Sequence, residues 1–130
     1  MRHRILIVDD YAPVRGLLRE WLESMFPGTD VVEGASGEEA VAGVLASAPD
    51  VVLMDIGLPG MSGMEAARRI SALAPGVRIV MLSALDGKLL RDKALAEGAS
   101  AYISKSRMHN DLIPVLTRLL PSGTSAAPGA

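Results

Sequence analysis

The chain has no cysteine, which excludes disulfide bridges and thiolate zinc sites. That absence fits a reducing compartment. No apolar run approaches the ~20 residues that a membrane-spanning helix needs. The basic start Met1-Arg2-His3-Arg4 leads into a short apolar run, Ile5 to Val8, which Asp9-Asp10 ends, so no signal peptide is expected. A surplus of one charge is also missing. The net charge of −2 leaves no nucleic-acid footprint, and the single adjacent pair Arg68-Arg69 is expected on a solvated helix face. His3 and His109 stand apart without ligand spacing and are expected at the surface. There is no internal repeat. What these absences leave is a cytoplasmic protein whose 130 residues suit one domain. A chain of that size can bury roughly two-thirds of its unfolded surface and so form a core without staples.

The most informative stretch is Val51-Val52-Leu53-Met54-Asp55, followed by Ile56-Gly57-Leu58-Pro59-Gly60. Four apolar residues running into a carboxylate predict a strand buried on both faces. Gly57, Pro59 and Gly60 predict a loop directly after it. Asp55 is therefore expected at the carboxyl end of a central strand, the edge where open α/β sheets bind ligands.

The rest of the chain alternates in the same manner. Arg4 to Val8 predicts a strand ending in Asp9-Asp10, and Pro13 suits the first turn of the helix behind it. Val14, Leu17, Leu18, Trp21, Leu22 and Met25 recur there at helical spacing, with Trp21 expected in the core. Val31-Val32 predicts a short strand. Ser36 with Glu39, and Ser62 with Glu65, read as capping boxes opening two further helices. The first of these carries Ala40, Val41, Val44 and Leu45. The second holds Ala66, Ile70 and Leu73. Val77 to Leu82 predicts a strand delivering Ser83. A helix with Leu89, Leu90, Ala94 and Leu95 follows, closed by Gly98. Ala101-Tyr102-Ile103 predicts a fifth strand delivering Lys105. The last helix covers about Met108 to Leu120, and Pro114 suggests a start nearer Asn110 or Asp111. Met54, Met64 and Met81 are expected as core fillers. Residues 1–120 form the expected domain, and 121–130 have the composition of a flexible tail or linker.

Five strands alternating with five helices predict a doubly wound α/β fold around a parallel sheet. In a parallel sheet all strands point one way, so polar residues at their carboxyl ends gather on one edge. Here those residues are Asp9, Asp10, Asp55, Ser83 and Lys105. Three carboxylates packed together repel one another unless a cation joins them. Mg²⁺ suits such a set, since it takes a few carboxylates and completes its shell with water or a phosphate oxygen. Lys105 adds a compact positive charge and Ser83 a hydroxyl donor. The group is a cradle for a phosphoryl moiety beside a carboxylate nucleophile.

Taken in this order, these residues resemble the receiver domain of two-component response regulators, similar to the chemotaxis response regulator. The likeness covers about residues 4 to 120. It rests on Asp9-Asp10, on Asp55 followed by Pro59 and Gly63, on Ser83, and on Lys105 with Tyr102 before it. It implies a flavodoxin-like fold and a signalling switch, not an enzyme with an external substrate. Asp55 is implied as the phosphoacceptor for a histidine kinase or phosphotransfer protein. Asp10, Asp55 and the backbone carbonyl of Gly57 are implied as Mg²⁺ ligands, with Asp9 acting through water. Lys105 and Ser83 are implied at the phosphoryl group. Ser83 and Tyr102 are implied as a switch pair, the hydroxyl moving to the phosphate while the ring turns inward. The output face is the one built from the fourth helix, fifth strand and fifth helix, with a possible homodimer on phosphorylation.

Two departures accompany the likeness. Lys105 precedes Ser106 where such families often have proline. Together with the loop from Gly57 to Gly63, this resembles the subfamily carrying a LuxR-type helix-turn-helix output domain. DNA binding would belong to that domain, which lies outside this chain. Gly57 and Leu85 stand where other receivers often place polar side chains, which implies slow self-dephosphorylation. Two alternatives compete: a haloacid-dehalogenase-like phosphatase and a pseudo-receiver that only binds partners. The phosphatase family expects Asp-x-Asp after the first strand, whereas here that strand ends in an adjacent pair.

Overall fold

The computed structural model describes residues 3–121. Five strands and five helices alternate: β1 Arg4–Val8, α1 Ala12–Met25, β2 Asp30–Gly34, α2 Gly37–Ser47, β3 Val51–Asp55, α3 Gly63–Leu73, β4 Arg78–Ser83, α4 Lys88–Ala96, β5 Ala101–Ser104 and α5 Met108–Leu119. A single 3₁₀ turn, Lys105–Arg107, joins β5 to α5. The strands are all parallel, in the order β2-β1-β3-β4-β5. The order reverses between β1 and β3, which is the switch point where doubly wound sheets bind ligands. No helix among the described residues is long and apolar enough to cross a membrane. Apart from Pro121, the expected tail lies outside the described residues.

Because successive strand residues point to opposite faces, each central strand feeds two cores. Ile5, Ile7, Val51, Leu53, Val80 and Leu82 pack with Leu18 and Leu22 of α1 and Leu112 and Leu116 of α5. Leu6, Val52, Met54, Ile79 and Met81 pack with Val44 of α2, Ile70 of α3 and Ala94 of α4. Burying each such aliphatic side chain stabilises the fold by roughly 1.5–3 kcal/mol. Gly63 lets α3 start hard against β3, since a Cβ there would stand 2.5 Å from the Asp55 carbonyl oxygen. The loop after Asp55 is thereby held close to the sheet edge.

The structure departs from the expected elements in several places. Helical spacing located α1, α2, α3 and α4, but Leu17, Leu45, Leu73, Leu89 and Leu95 are exposed. Each helix buries one stripe against the sheet, and these leucines fall outside it. Trp21 is half-buried against the core edge, where His109 stacks on it at 6.2 Å. Met54 and Met81 are fully buried, while Met64 is only partly so. β2 extends from Asp30 to Gly34 because it pairs with all five residues of β1. β4 begins at Arg78, not Val77, and β5 runs on to Ser104.

α5 starts at Met108 and passes through Pro114 to Leu119. Pro114 removes one backbone donor, but the complete burial of Leu112 and Leu116 on either side holds the helix together. Both capping serines act as expected: Ser36 accepts from the Glu39 N–H at 3.1 Å and Ser62 from the Glu65 N–H at 3.2 Å. The return bond of the first box comes one residue early, with Glu39 accepting from the Ala35 N–H at 3.2 Å.

Candidate functional site

The sheet brings the ends of β1, β3 and β5 to one edge. β1 passes into α1 through Asp9, whose N–H donates to the Gly34 carbonyl at 3.1 Å. The Asp9 carboxylate turns back and accepts from the Tyr11 N–H at 2.9 Å, closing a local turn before the helix. At the end of β3, one oxygen of Asp55 accepts from the Gly57 N–H at 3.0 Å. Its other oxygen accepts from Lys105 Nζ at 3.1 Å. The same ammonium lies 3.7 Å from Asp9 Oδ2. Lys105 begins the 3₁₀ turn after β5, so its side chain reaches back over the strand ends.

Asp9, Asp10 and Asp55 each offer a carboxylate oxygen, and these oxygens lie within 4.8 Å of one another. Asp9 is buried and Asp10 exposed. Burial is the main cause that raises the Asp9 pKa above its usual value, and Asp55 and Asp10 push it the same way. The Tyr11 N–H and the Lys105 ammonium act against that rise. Three carboxylates beside one lysine leave a surplus of negative charge and a set of hard oxygen donors. That chemistry fits a small divalent cation such as Mg²⁺.

Ser83 and Tyr102 meet at a different point. Ser83 is fully buried, and its hydroxyl accepts from the Leu85 N–H at 3.0 Å. Among the described residues no hydrogen bond joins it to the carboxylates. The Tyr102 hydroxyl donates to the Leu85 carbonyl at 2.7 Å. The residue is 8 % exposed and its ring packs in the core, with the Arg91 guanidinium carbon 5.9 Å from the ring centroid. The ring therefore already sits inward while the Ser83 hydroxyl is turned to the loop. Both hydroxyls of the expected switch pair bond the Leu85 backbone, Ser83 at its N–H and Tyr102 at its carbonyl. Gly57 contributes its N–H to Asp55 here.

Sequence reasoning missed two features. Ser104 and Ser106 join hydroxyls at 2.9 Å across Lys105, and no cis peptide is present among the described residues. The sequence marks Ser106 as a serine in place of proline and as a subfamily likeness, but not its partner, which lies on the far side of the lysine. Arg15 on α1 donates to the Asp9 carbonyl at 2.6 Å. Its only signal in the sequence was a position one to two turns after the acidic pair.

The chain matches the family model described as response regulator receiver domain over residues 5–117. It is 37 % identical over 112 residues to the response regulator UvrY of Escherichia coli O6:H1, covering 86 % of this chain and 51 % of that protein. The chain thus spans about half the length of that relative. It is 38 % identical over 105 residues to the chemotaxis protein CheY of Halobacterium salinarum, covering 81 % of this chain and 86 % of that one. Among solved structures, a LuxR-family two-component response regulator from Aurantimonas sp. SI85-9A1 superposes with a TM-score of 0.83 at 36 % identity, over 89 % of this chain and 83 % of the other. Of the two families the strand-end carboxylates could serve, these matches support the signalling switch and give the phosphatase none. With its order of strands, its acidic edge and its matched residues, the chain belongs to the response regulator receiver domain family, the phosphorylation-activated switches of two-component signalling.

Proposed function

We propose that Asp55 is the phosphoacceptor of this switch. The observation that carries the reading is the contact of Lys105 Nζ with Asp55 Oδ2 at 3.1 Å inside a cluster of three carboxylates. A carboxylate oxygen of Asp55 attacks phosphorus, and the bond from phosphorus to the nitrogen of a phosphohistidine breaks. The donor is a histidine kinase or a phosphotransfer protein. Lys105 then lies beside the charge that develops on the phosphoryl oxygens. Ser83 gives up its bond to Leu85 and donates its hydroxyl to the phosphoryl group.

Asp10, Asp55 and the Gly57 carbonyl would hold Mg²⁺, with Asp9 acting through water. When bound, the ion neutralises the carboxylates and the incoming phosphoryl oxygens. The domain catalyses only its own phosphorylation and dephosphorylation. Side chains able to orient hydrolytic water are missing at Gly57 and Leu85, which favours a long-lived phosphoryl group. Residues 1–120 act as the receiver in the cytoplasm and 121–130 as a flexible tail or linker, and any DNA binding would belong to a LuxR-type output domain outside this chain. Phosphorylation acts on that output through the α4–β5–α5 face, with homodimerisation there.

Intact-mass spectrometry after incubation with acetyl phosphate and Mg²⁺ tests the reading. Wild type should gain one phosphoryl group, Asp55→Asn none, and chelation of Mg²⁺ should abolish the gain. Uptake by Asp55→Asn would move the acceptor elsewhere. No uptake by wild type from acetyl phosphate or from a phosphorylated kinase would leave a pseudo-receiver.

A further inference from the structure

The Asp10 carboxylate is exposed, and among the described residues no hydrogen bond holds it. Its direction therefore depends on the backbone that carries it. That backbone is fixed at three points around Asp9. The Asp9 N–H donates to Gly34 on β2 at 3.1 Å. Its carboxylate is capped by the Tyr11 N–H at 2.9 Å. Its carbonyl, which belongs to the peptide joining Asp9 to Asp10, accepts from Arg15 Nη1 at 2.6 Å. The first two bonds are ordinary strand and turn bonds. The third comes from a side chain that is itself held in place: Arg15 Nε donates to Glu33 at 2.9 Å, and only 17 % of the arginine side chain is exposed. Glu33 sits on β2 and is gripped on its other oxygen by Arg19 Nε at 2.7 Å. A planar guanidinium can hold the carboxylate and the carbonyl together in a fixed geometry, which a lysine cannot.

We propose that Arg15 is a positioning residue that clamps the Asp9–Asp10 peptide and so aims the Asp10 carboxylate at the metal. This rests on the Mg²⁺ reading above. The clamp makes a prediction opposite in sign to simple charge. A cation beside a divalent site repels the ion, so on Coulomb grounds its removal tightens binding. Loss of a clamp weakens binding, because the ligand must then be ordered when the metal arrives. Arg19 is the built-in control: it shares Glu33 but does not touch Asp9.

The test compares wild type, Arg15→Ala, Arg15→Lys and Arg19→Ala in the full chain. Mg²⁺ affinity is read by calorimetry, and amide exchange at Asp9 and Tyr11 by NMR without metal. Arg15→Ala should raise the Mg²⁺ Kd roughly tenfold, in the range that outer-shell partners of metal ligands command. Exchange at Asp9 and Tyr11 should quicken. Arg15→Lys should fall between, and it supplies the comparison if the alanine variant does not fold. Arg19→Ala should leave both readouts near wild type. Unchanged or tighter Mg²⁺ binding in the Arg15 variants overturns the proposal, as does an equal loss in Arg19→Ala. If wild type binds no Mg²⁺, the metal reading fails separately. The exchange rates then decide the clamp, and rates unaltered by loss of Arg15 overturn it.

Discussion

The Tyr102 hydroxyl donates to the backbone carbonyl of Leu85 at 2.7 Å, tying β5 to the loop after β4. The N–H of the same Leu85 donates to Ser83. One residue thus links the two hydroxyls, although its own side chain is 64 % exposed. On the switch proposed above, movement of Ser83 towards a phosphoryl group would free the Leu85 N–H, on the same residue whose carbonyl holds Tyr102.

Tyr102→Phe keeps the packed ring and removes only the bond to Leu85. The expected cost is about 1 kcal/mol, the net worth of one hydrogen bond. Tyr102→Ala also empties the ring's place in the core and should cost about 3–5 kcal/mol. Urea denaturation measures both. Equal costs would mean that the hydroxyl, not the ring, holds the position.

Lys105→Met removes the cation that faces Asp55 and Asp9 while keeping the stem. Phosphorylation by acetyl phosphate should slow about a hundredfold, as for loss of one charge-stabilising donor. Mg²⁺ binding should tighten, since a competing cation has gone. A mass-spectrometric time course and a metal titration separate the two effects.

Asp9→Asn should stabilise the metal-free protein at neutral pH. The folded-state pKa of Asp9 is raised, chiefly by burial, so the folded state binds its proton more tightly than the unfolded state. Stability from this group is therefore greatest at acid pH. It is lost as pH rises from the ordinary value of 3.8 through the raised one. Thermal melts of wild type and Asp9→Asn across that range should converge at low pH and separate above it. Saturating Mg²⁺ should narrow the difference by stabilising wild type.

Ser106→Ala leaves the buried Ser104 hydroxyl without its partner across Lys105. The expected cost is roughly 1–3 kcal/mol. Ser104→Ala with Ser106→Ala should cost less than the sum of the two single changes, because the unpaired hydroxyl is then gone. A double-mutant cycle by chemical denaturation reads the difference. Strict additivity would mean that the two serines act independently.

Strand and helix placement were legible because apolar runs and helical spacing are local signals. The convergence of Asp9, Asp10, Asp55 and Lys105 followed from parallel topology alone, and the structure brings these four together. The state of Ser83 and Tyr102 was not legible, since both bond to the Leu85 backbone and backbone partners leave no mark in residue type. Nor could spacing tell that Leu17 and Leu89 face solvent while Leu18 and Leu22 are buried. The rotation of a helix about its axis is settled by what it packs against.

By itself, then, the sequence determined an alternating α/β chain whose strands end in carboxylates, a hydroxyl and a lysine, and so determined where a site would form. Tertiary structure alone decided how those groups are held. Arg15 finds Asp9 through Glu33 on a neighbouring strand. Ser104 finds Ser106 through a 3₁₀ turn, and Leu85 joins β4 to β5 through its backbone. Each depends on the register of strands or the pose of a turn, which arise when distant segments pack and are not encoded in the spacing of any one of them.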